Sequence, residues 1–371
     1  MRRVLITGGA GFIGSHLADE LIACGDSVRA LDALVEQVHG PHRARPDYLD
    51  PEVELMVGDV TDRETVDRAL DGVDAVFHLA ARVGVGQSMY RIAEYTRANN
   101  LGTATLLEAL AEHPVERLVV ASSMSLYGEG LYRSGDGRLV DGVGRTRRQL
   151  EDRRWEVYGP EGEPLTPVAT PETKEPELHS VYALSKYDQE RLALLVGEAY
   201  GIPTVALRFF NVYGARQSLS NPYTGVLAIF AARYLNGEPP VIFEDGYQQR
   251  DFVHVSDAVQ ACVLALDAPQ APGRAFNVAS GRSYSVRGIA ERLADVLSVD
   301  HVHPRLTGRY RVGDIRHCFA DVSLARQVLG YEPRVDLEEG LVGLAAWLEG
   351  QVAADRLGEA RAELDSRGLT V

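Results

Sequence analysis

The stretch Val4-Leu5-Ile6-Thr7-Gly8-Gly9-Ala10-Gly11-Phe12-Ile13-Gly14 constrains this chain more than any other. An apolar β-branched run begins three residues from the start and ends in glycines at 8, 11 and 14, and an amphipathic segment, 16–23, continues from it. The pattern reads as strand, tight turn, helix. Gly8 allows the turn, Gly11 lets a pyrophosphate approach the backbone, and Gly14 permits close helix packing, so the helix N-terminus is left to hold phosphates. By itself such a turn could join any strand to any helix; the partner residue narrows the reading. Asp32 closes the next apolar run, 27–31, and lies 18 residues beyond Gly14, where a carboxylate accepts hydrogen bonds from a ribose diol. Ala33 and Leu34 follow it, with no Arg or Lys beside it to hold a 2′-phosphate. The expected ligand is NAD rather than NADP.

With 371 residues, 45% of them hydrophobic, the chain can bury a large core. Its length suits one large α/β domain with a smaller second lobe. A net charge of −15 argues against nucleic acid or an anionic membrane as partner, because phosphate surfaces reward basic proteins. Anionic substrates then require local arginines. Cys24, Cys262 and Cys318 are far apart and lack metal-ligand spacing; they read as small buried apolar residues, with no disulfide and no metal site. No uninterrupted apolar stretch reaches the roughly 18 residues of a membrane span. Residues 4–7 are too short for a signal core. A cytoplasmic protein is expected.

Beyond Asp32, residues 36–51 read as a polar loop rich in His and Pro, and 53–57 as a strand ending at Gly58-Asp59-Val60. Asp59 and Val60 would sit beside the adenine. Residues 75–81 form another buried strand, whose small C-terminal residues pass under the cofactor. His78 in it has neither base nor metal partner and reads as structural. Residues 99–113 have helical spacing, and 117–123 are a fourth parallel-type strand that delivers Ser122 and Ser123 to the ligand edge of a doubly wound sheet. Residues 129–180, rich in Gly, Pro, Arg and Glu, are too long for an ordinary connection. They read as a lid over the substrate site, or alternatively as a passive surface insertion.

Residues 181–200 form an amphipathic helix opening Tyr182-Ala183-Leu184-Ser185-Lys186. A four-residue spacing puts Tyr182 and Lys186 one turn apart on one face. There an ammonium can lower the phenol's pKa and bind the nicotinamide ribose, while Ser123 orients a substrate hydroxyl. Tyr-x-x-x-Lys is a weak signal alone; after a dinucleotide turn, Asp32 and Ser123 it becomes strong. Further on, 226–235, 286–297, 337–349 and 353–364 read as helices, the first capped by 221–225, and 240–244 as a short strand.

These pieces resemble the extended short-chain dehydrogenase/reductases of the nucleotide-sugar epimerase/dehydratase group. The resemblance rests on residues 7–14, His78-Leu79-Ala80-Ala81, Ser122-Ser123 before Tyr127-Gly128, Tyr182 with Lys186, Arg208-Phe209-Phe210-Asn211-Val212-Tyr213-Gly214, and Arg250-Asp251-Phe252-Val253-His254-Val255. It implies a Rossmann-type doubly wound parallel sheet with a smaller C-terminal α/β substrate lobe. Residues 1–214 would bind NAD and 215–371 mainly the nucleotide sugar, with about 251–267 returning to the first domain. It further implies Ser123, Tyr182 and Lys186 as catalytic residues. Cofactor contacts would come from Gly8, Gly11, Phe12, Ile13, Gly14, Asp32, Asp59, Val60, Leu79, Ala80, Ala81, Asn99, Lys186 and Phe209. Substrate contacts would come from Ser125 and Asn211, with Arg250 and Arg316 resembling the arginines that clamp a diphosphate in relatives. The helices 99–113 and 181–200 would pair across a homodimer.

The residues after Ser123 bear on the reaction. Relatives share oxidation of a sugar C4 hydroxyl by NAD. Dehydratases follow the active-site hydroxyl residue with an Asp-Glu pair, and uronate decarboxylases place a Glu at its second position. Met124 and Ser125 stand here, and neither is a carboxylic acid or base, so re-reduction on the other face, 4-epimerisation, is the simplest outcome. The runs 123–133 and 215–226 look most like dTDP-L-rhamnose 4-epimerases, which points to a dTDP-6-deoxyhexose or a UDP-hexose as substrate. Such relatives carry cysteines in the insertion; this chain has none between 129 and 180, so no metal is expected there. The alternatives are a nucleotide-sugar 4,6-dehydratase, a UDP-glucuronate decarboxylase or 4-epimerase, and a non-catalytic NAD-binding sensor, which needs neither Tyr182 nor Lys186.

Overall fold

Each buried apolar run becomes a strand of one seven-stranded sheet in the computed structural model, which describes all residues except 220, 222, 224, 312, 350, 352–356 and 371. The spatial order is Arg274–Val278, Thr204–Phe209, Arg117–Ser123, Ala75–His78, Arg3–Thr7, Ser27–Asp32, Glu54–Val57, and every pair is parallel. The chain starts at the middle of the sheet, builds outward through Glu54–Val57, then crosses back to Ala75–His78. This reversal opens a crevice beyond the carboxyl ends of Arg3–Thr7 and Ala75–His78, the place where doubly wound sheets bind ligands. The register aligns Thr7 with Leu31 on one side and with His78 on the other. Gly8, Asp32 and Leu79 therefore leave the sheet together.

Helices cover both faces, as parallel sheets require. Phe12–Ala23 and Val255–Asp267 bury Leu17, Leu21, Val259 and Cys262 in one core layer. Arg63–Leu70, Gly102–Glu112 and Val181–Tyr200 bury Val66, Leu106, Leu110 and Ala193 in the other. A separate core joins Val226–Leu235, Val286–Val296 and Leu337–Leu348. Beside it lie short strand pairs, Val241–Ile242 with Arg305–Leu306, and Gln249–Arg250 between Tyr284–Ser285 and His317–Cys318.

Several expectations are refined. The return of the chain to the first body extends beyond 251–267: Arg274–Val278 is an edge strand of the main sheet, and Cys318, Ala320, Ala325 and Tyr331 complete its core layer. The helix expected over 99–113 begins instead as a π-helical turn, Thr96–Leu101, before the regular Gly102–Glu112. Residues 36–51 hold one helical turn, Glu36–His39. Cys24 is exposed, whereas Cys262 and Cys318 are buried, and all three are unpaired. Helix Val226–Leu235 starts after Gly225; positions 222 and 224 of its expected cap lie outside the described residues. So do 353–356 of the terminal helix, which is described over Leu357–Ser366. Among the described residues no helix is long and apolar enough to cross a membrane.

Residues 129–180 contain a small antiparallel sheet, Leu131–Arg133 between Leu139–Val140 and Thr166–Val168, closed over Tyr132, Val157 and Leu165. Its strands span only two or three residues, too few to leave an alternating sequence signal.

Candidate active site

One cleft of about 1640 Å³ runs along the carboxyl edge of the sheet and continues between the two bodies. At its first end lies the glycine turn. Gly8 sits at φ +73°, and a Cβ there would come within 2.9 Å of the Ala80 nitrogen; a Cβ at Gly14 would meet the Gly8 carbonyl oxygen at 2.4 Å. Both positions are closed to side chains, and the closure leaves Gly8, Gly11, Phe12, Ile13 and Gly14 on the cleft wall. Gly11 caps helix Phe12–Ala23 without a side-chain hydrogen bond. The first-turn amides thus remain available to an anion. Asp32, Asp59, Val60, Leu79, Ala80, Ala81 and Phe209 line the same cleft. Asp32 is fixed by the amides of Ala10 (3.1 Å) and Leu34 (2.9 Å), and the fold brings His39 to 3.6 Å from its carboxylate. A glycine cradle, an open helix N-terminus and a carboxylate at the second strand's end fit a dinucleotide such as NAD.

Asn99 is placed differently from the expectation. It is fully buried, off the cleft wall, with its amide donating to the Arg82 carbonyl (3.1 Å) and Ser185 Oγ (2.8 Å) and its oxygen accepting from the Arg82 amide (2.7 Å). Its side chain braces the backbone at Arg82.

Beyond the glycine turn, strand Arg117–Ser123 ends in Ser123, and a short 3₁₀ turn, Met124–Tyr127, follows. Ser123 Oγ accepts from the Ser125 amide (3.2 Å) and hydroxyl (3.0 Å). Ser180 caps helix Val181–Tyr200 by accepting from the Ala183 amide (3.0 Å), which sets Tyr182 in its first turn. Tyr182 is packed edge-on against Tyr95. Burial raises its pKa, and a side-chain hydrogen bond with Ser123, which favours the phenolate, acts in the opposite direction. Burial pushes Lys186 down to about 7, opposed by Glu190 one turn on, and its ammonium donates to Gln189 Oε1 (2.7 Å). Ser123, Ser125, Tyr182, Lys186 and Asn211 all line the cleft. A buried network supports them: Glu190 takes two hydrogen bonds from Arg208 (2.7 and 3.0 Å) and one from Ser122 (2.6 Å). His78 hydrogen-bonds Thr7 and Thr103, and burial lowers it to about 3. It is a neutral structural residue, as the sequence reading holds.

The far end of the cleft requires a correction. Arg316 has no exposed side-chain surface and is absent from the wall; its guanidinium is held by Glu156 (2.5 Å), Glu244 (3.0 Å) and Asp245 (2.6 Å). A cation already surrounded by three carboxylates is not offered to a diphosphate. Arg250 does line the cleft, donating to the carbonyls of Ile315 (2.7 Å) and Arg316 (2.9 Å). Arg311 lines it too, paired with Asp314 at 2.9 Å. Its signal, Arg and Asp three apart around the turn at Gly313, stands in the sequence, but Arg316 beyond the same turn drew the assignment away. Arg82, Gln217, Gln248 and Arg361 also line the cleft, and no motif in the sequence marks them.

Of the segment 129–180, expected as a lid, only His179 and Ser180 line the cleft, beside Gly128; nothing in 129–178 does. Glu129 instead accepts from the backbone amides of Arg316 (2.7 Å) and His317 (3.1 Å) and from Tyr132 Oη (2.9 Å). Arg145 bridges Glu244 (2.7 Å) and the Asp314 carbonyl (3.1 Å). The insertion is fastened to the back of segment 314–317, whose front carries Asp314 and Ile315 into the cleft.

A dinucleotide cradle that leads directly to a cleft-lining Ser-Tyr-Lys cluster defines a class, the dinucleotide-dependent enzymes that oxidise or reduce a hydroxyl-bearing substrate. The sequence model of the NAD dependent epimerase/dehydratase family matches residues 4–140 and 155–279, and the chain belongs to that family. Among its relatives, dTDP-L-rhamnose 4-epimerase of Burkholderia thailandensis is 34% identical over 351 residues, 94% of this chain and 95% of that protein. UDP-glucose 4-epimerase of Thermotoga maritima, solved with UDP-glucose, is 30% identical with a TM-score of 0.76 over 94% of this chain and 99% of that one. UDP-glucose 4-epimerase of Thermus thermophilus, solved in complex with NAD, is 30% identical with a TM-score of 0.74 over 94% and 100%.

Proposed function

We propose that this chain is an NAD-dependent nucleotide-sugar 4-epimerase acting on a dTDP-6-deoxyhexose or a UDP-hexose. The observation that carries the reading is what stands around Ser123 and Tyr182. In segments 121–128, 179–186 and 209–212 the cleft wall includes Met124, Ser125 and Asn211 but no carboxylate. Elimination of water calls for an acid and base beyond Tyr182, and the positions after Ser123 hold Met124 and Ser125 in place of a carboxylate. The relatives named above support the same choice.

NAD, when bound, supplies the oxidant for the C4 carbinol and the reductant for the resulting ketone. In this reading Tyr182 takes the C4 hydroxyl proton and later returns one, and Ser123 holds the C4 oxygen beside the phenol. Lys186, in its charged form, stabilises the phenolate and reaches the nicotinamide ribose. Gly8, Gly11, Phe12, Ile13 and Gly14 hold the pyrophosphate, Asp32 the adenosine ribose, Asp59 and Val60 the adenine edge, and Leu79, Ala80, Ala81 and Phe209 the remaining contacts. Ser125 and Asn211 face the sugar, and Arg250 with Arg311 anchors the diphosphate. An epimerase must let the sugar turn over between its two half-reactions, which favours anchoring at the diphosphate over a tight grip on the hexose. Residues 1–214 supply the cofactor site and 215–371 most of the substrate site. We also propose a cytoplasmic homodimer: Leu184 and Leu195 on helix Val181–Tyr200, 48% and 54% exposed, give that helix an uncovered apolar stripe.

The test is to incubate the purified protein with a panel of dTDP- and UDP-sugars and follow the product by mass spectrometry and NMR. An unchanged mass with a new C4 stereoisomer supports the reading. A product lighter by water or carbon dioxide overturns it in favour of the dehydratase or decarboxylase, and a protein that binds NAD but turns over none of the panel favours the sensor.

A further inference from the structure

The terminal helix Leu357–Ser366 contributes Ala360, Arg361 and Leu364 to the cleft wall and touches both bodies. On one side Leu364 packs against Gly86, and Leu364 and Leu369 share a small crevice with Val85 and Met89. The Arg367 guanidinium lies over the Tyr90 ring, 4.6 Å from its centroid. On the other side Asp365 pairs with Arg309 at 3.0 Å, Thr370 hydrogen-bonds Asp365, and Thr370 forms a β-bridge with Arg311. The inward stripe of the helix, Ala360 and Leu364, is buried. Arg361 stands next to it, on the cleft wall.

Arg361 differs from most cations of that wall. Arg250 is engaged with backbone carbonyls, Arg311 with Asp314, Arg216 with Asp19 and Lys186 with Gln189. Arg361 makes no hydrogen bond or ion pair among the described residues; it acts on Asp365 only through space, while Asp365 is taken by Arg309. A guanidinium held on the cleft wall by a stapled helix, with no donor committed among the described residues, is a preorganised anion receptor. The staple attaches this helix to the strand segment that carries Arg311.

We propose that the terminal helix is part of the substrate site and that Arg361 binds the diphosphate of the nucleotide sugar alongside Arg311. The proposal rests on the nucleotide-sugar reading above and adds a third arginine that the glycine turn and the Ser-Tyr-Lys cluster do not foretell.

The test is calorimetric titration of UDP and of dTDP into the NAD-loaded protein, its Arg361→Gln variant and its Arg361→Lys variant, with uridine and thymidine as probes that lack phosphate. The expected result is about 10-fold weaker binding of both nucleoside diphosphates to Arg361→Gln, the effect of losing one charge-assisted hydrogen bond, with partial recovery in Arg361→Lys and no change for the nucleosides. Equal affinities of wild type and Arg361→Gln for UDP and dTDP overturn the assignment while leaving the nucleotide-sugar reading intact. A penalty seen only with UDP-glucuronate, and absent with UDP and UDP-glucose, also overturns it, because Arg361 would then read a sugar carboxylate. Wild-type protein that binds no nucleoside diphosphate removes both the assignment and the reading beneath it.

Discussion

Residues 129–180 and the terminal helix Leu357–Ser366 are both attached to the substrate-binding side of the molecule, yet they treat charge in opposite ways. The insertion gathers Glu129, Arg145, Glu156, Glu244, Asp245 and Arg316 into one interlocked set, with Arg316 wholly buried and every guanidinium matched by carboxylates. None of its own residues from 129 to 178 meets the cleft. The helix brings an arginine to the cleft and leaves it uncommitted. Charges that are spent on one another make a brace, and a charge left without a partner makes a receptor; length, composition and arginine content alone do not distinguish the two.

Removing a brace residue is expected to have the largest effect. Arg316→Ala leaves three carboxylates facing one another in or beside the protein interior and should cost about 3–5 kcal/mol of stability, read as a lowered midpoint in denaturant titration. Were Arg316 a diphosphate ligand, the same variant would raise KM and leave the midpoint unchanged. Tyr182→Phe should do the reverse of Arg316→Ala, with stability preserved and turnover down at least about 100-fold, the usual scale for a positioned proton-transfer group. Near-wild-type turnover would remove Tyr182 from the chemistry.

Lys186 gives a smaller, pH-dependent difference. Its folded pKa of about 7 lies below its unfolded value near 10.5, so between those limits the unfolded chain binds more protons and the lysine's cost to the fold shrinks as pH rises. Without NAD, wild type should therefore gain on Lys186→Met by about 1.4 kcal/mol per pH unit above pH 7 at most, measured as paired melting curves at pH 6, 7.5 and 9. A difference that stays constant over that range would mean the ammonium remains charged in the fold. The smallest effect belongs to Arg361→Gln, whose stability should match wild type within about 0.5 kcal/mol. A large loss there would make the helix a second brace and erase the contrast.

Much of the cofactor half was legible because local rules write it directly into sequence. The φ of Gly8, the close approach at Gly14 and the carboxylate at the end of the second strand are each demanded within a few residues of where they act. Ser123, Tyr182 and Lys186 were legible for a related reason: a strand end and one helical turn fix their positions. The substrate half was harder. Arg316 and Arg311 flank the same glycine turn, and only the three-dimensional placement of Glu156, Glu244 and Asp245, from two distant segments, decides that one is buried and the other faces the cleft. The burial of Asn99 was not legible either, since the π-helical turn at Thr96–Leu101 has no signature in the spacing of apolar residues. The sheet of the insertion was invisible because its strands are too short to alternate.

The central claim, that the C4 carbinol is oxidised and the ketone re-reduced within one protein, is tested most directly with a nucleotide sugar deuterated at C4. The substrate panel identifies which sugar to label. With no added nicotinamide cofactor, the account predicts a product of inverted C4 configuration that retains its deuterium at C4, seen by NMR, at unchanged mass. Loss of the label to solvent, or a product lighter by one water, would contradict it.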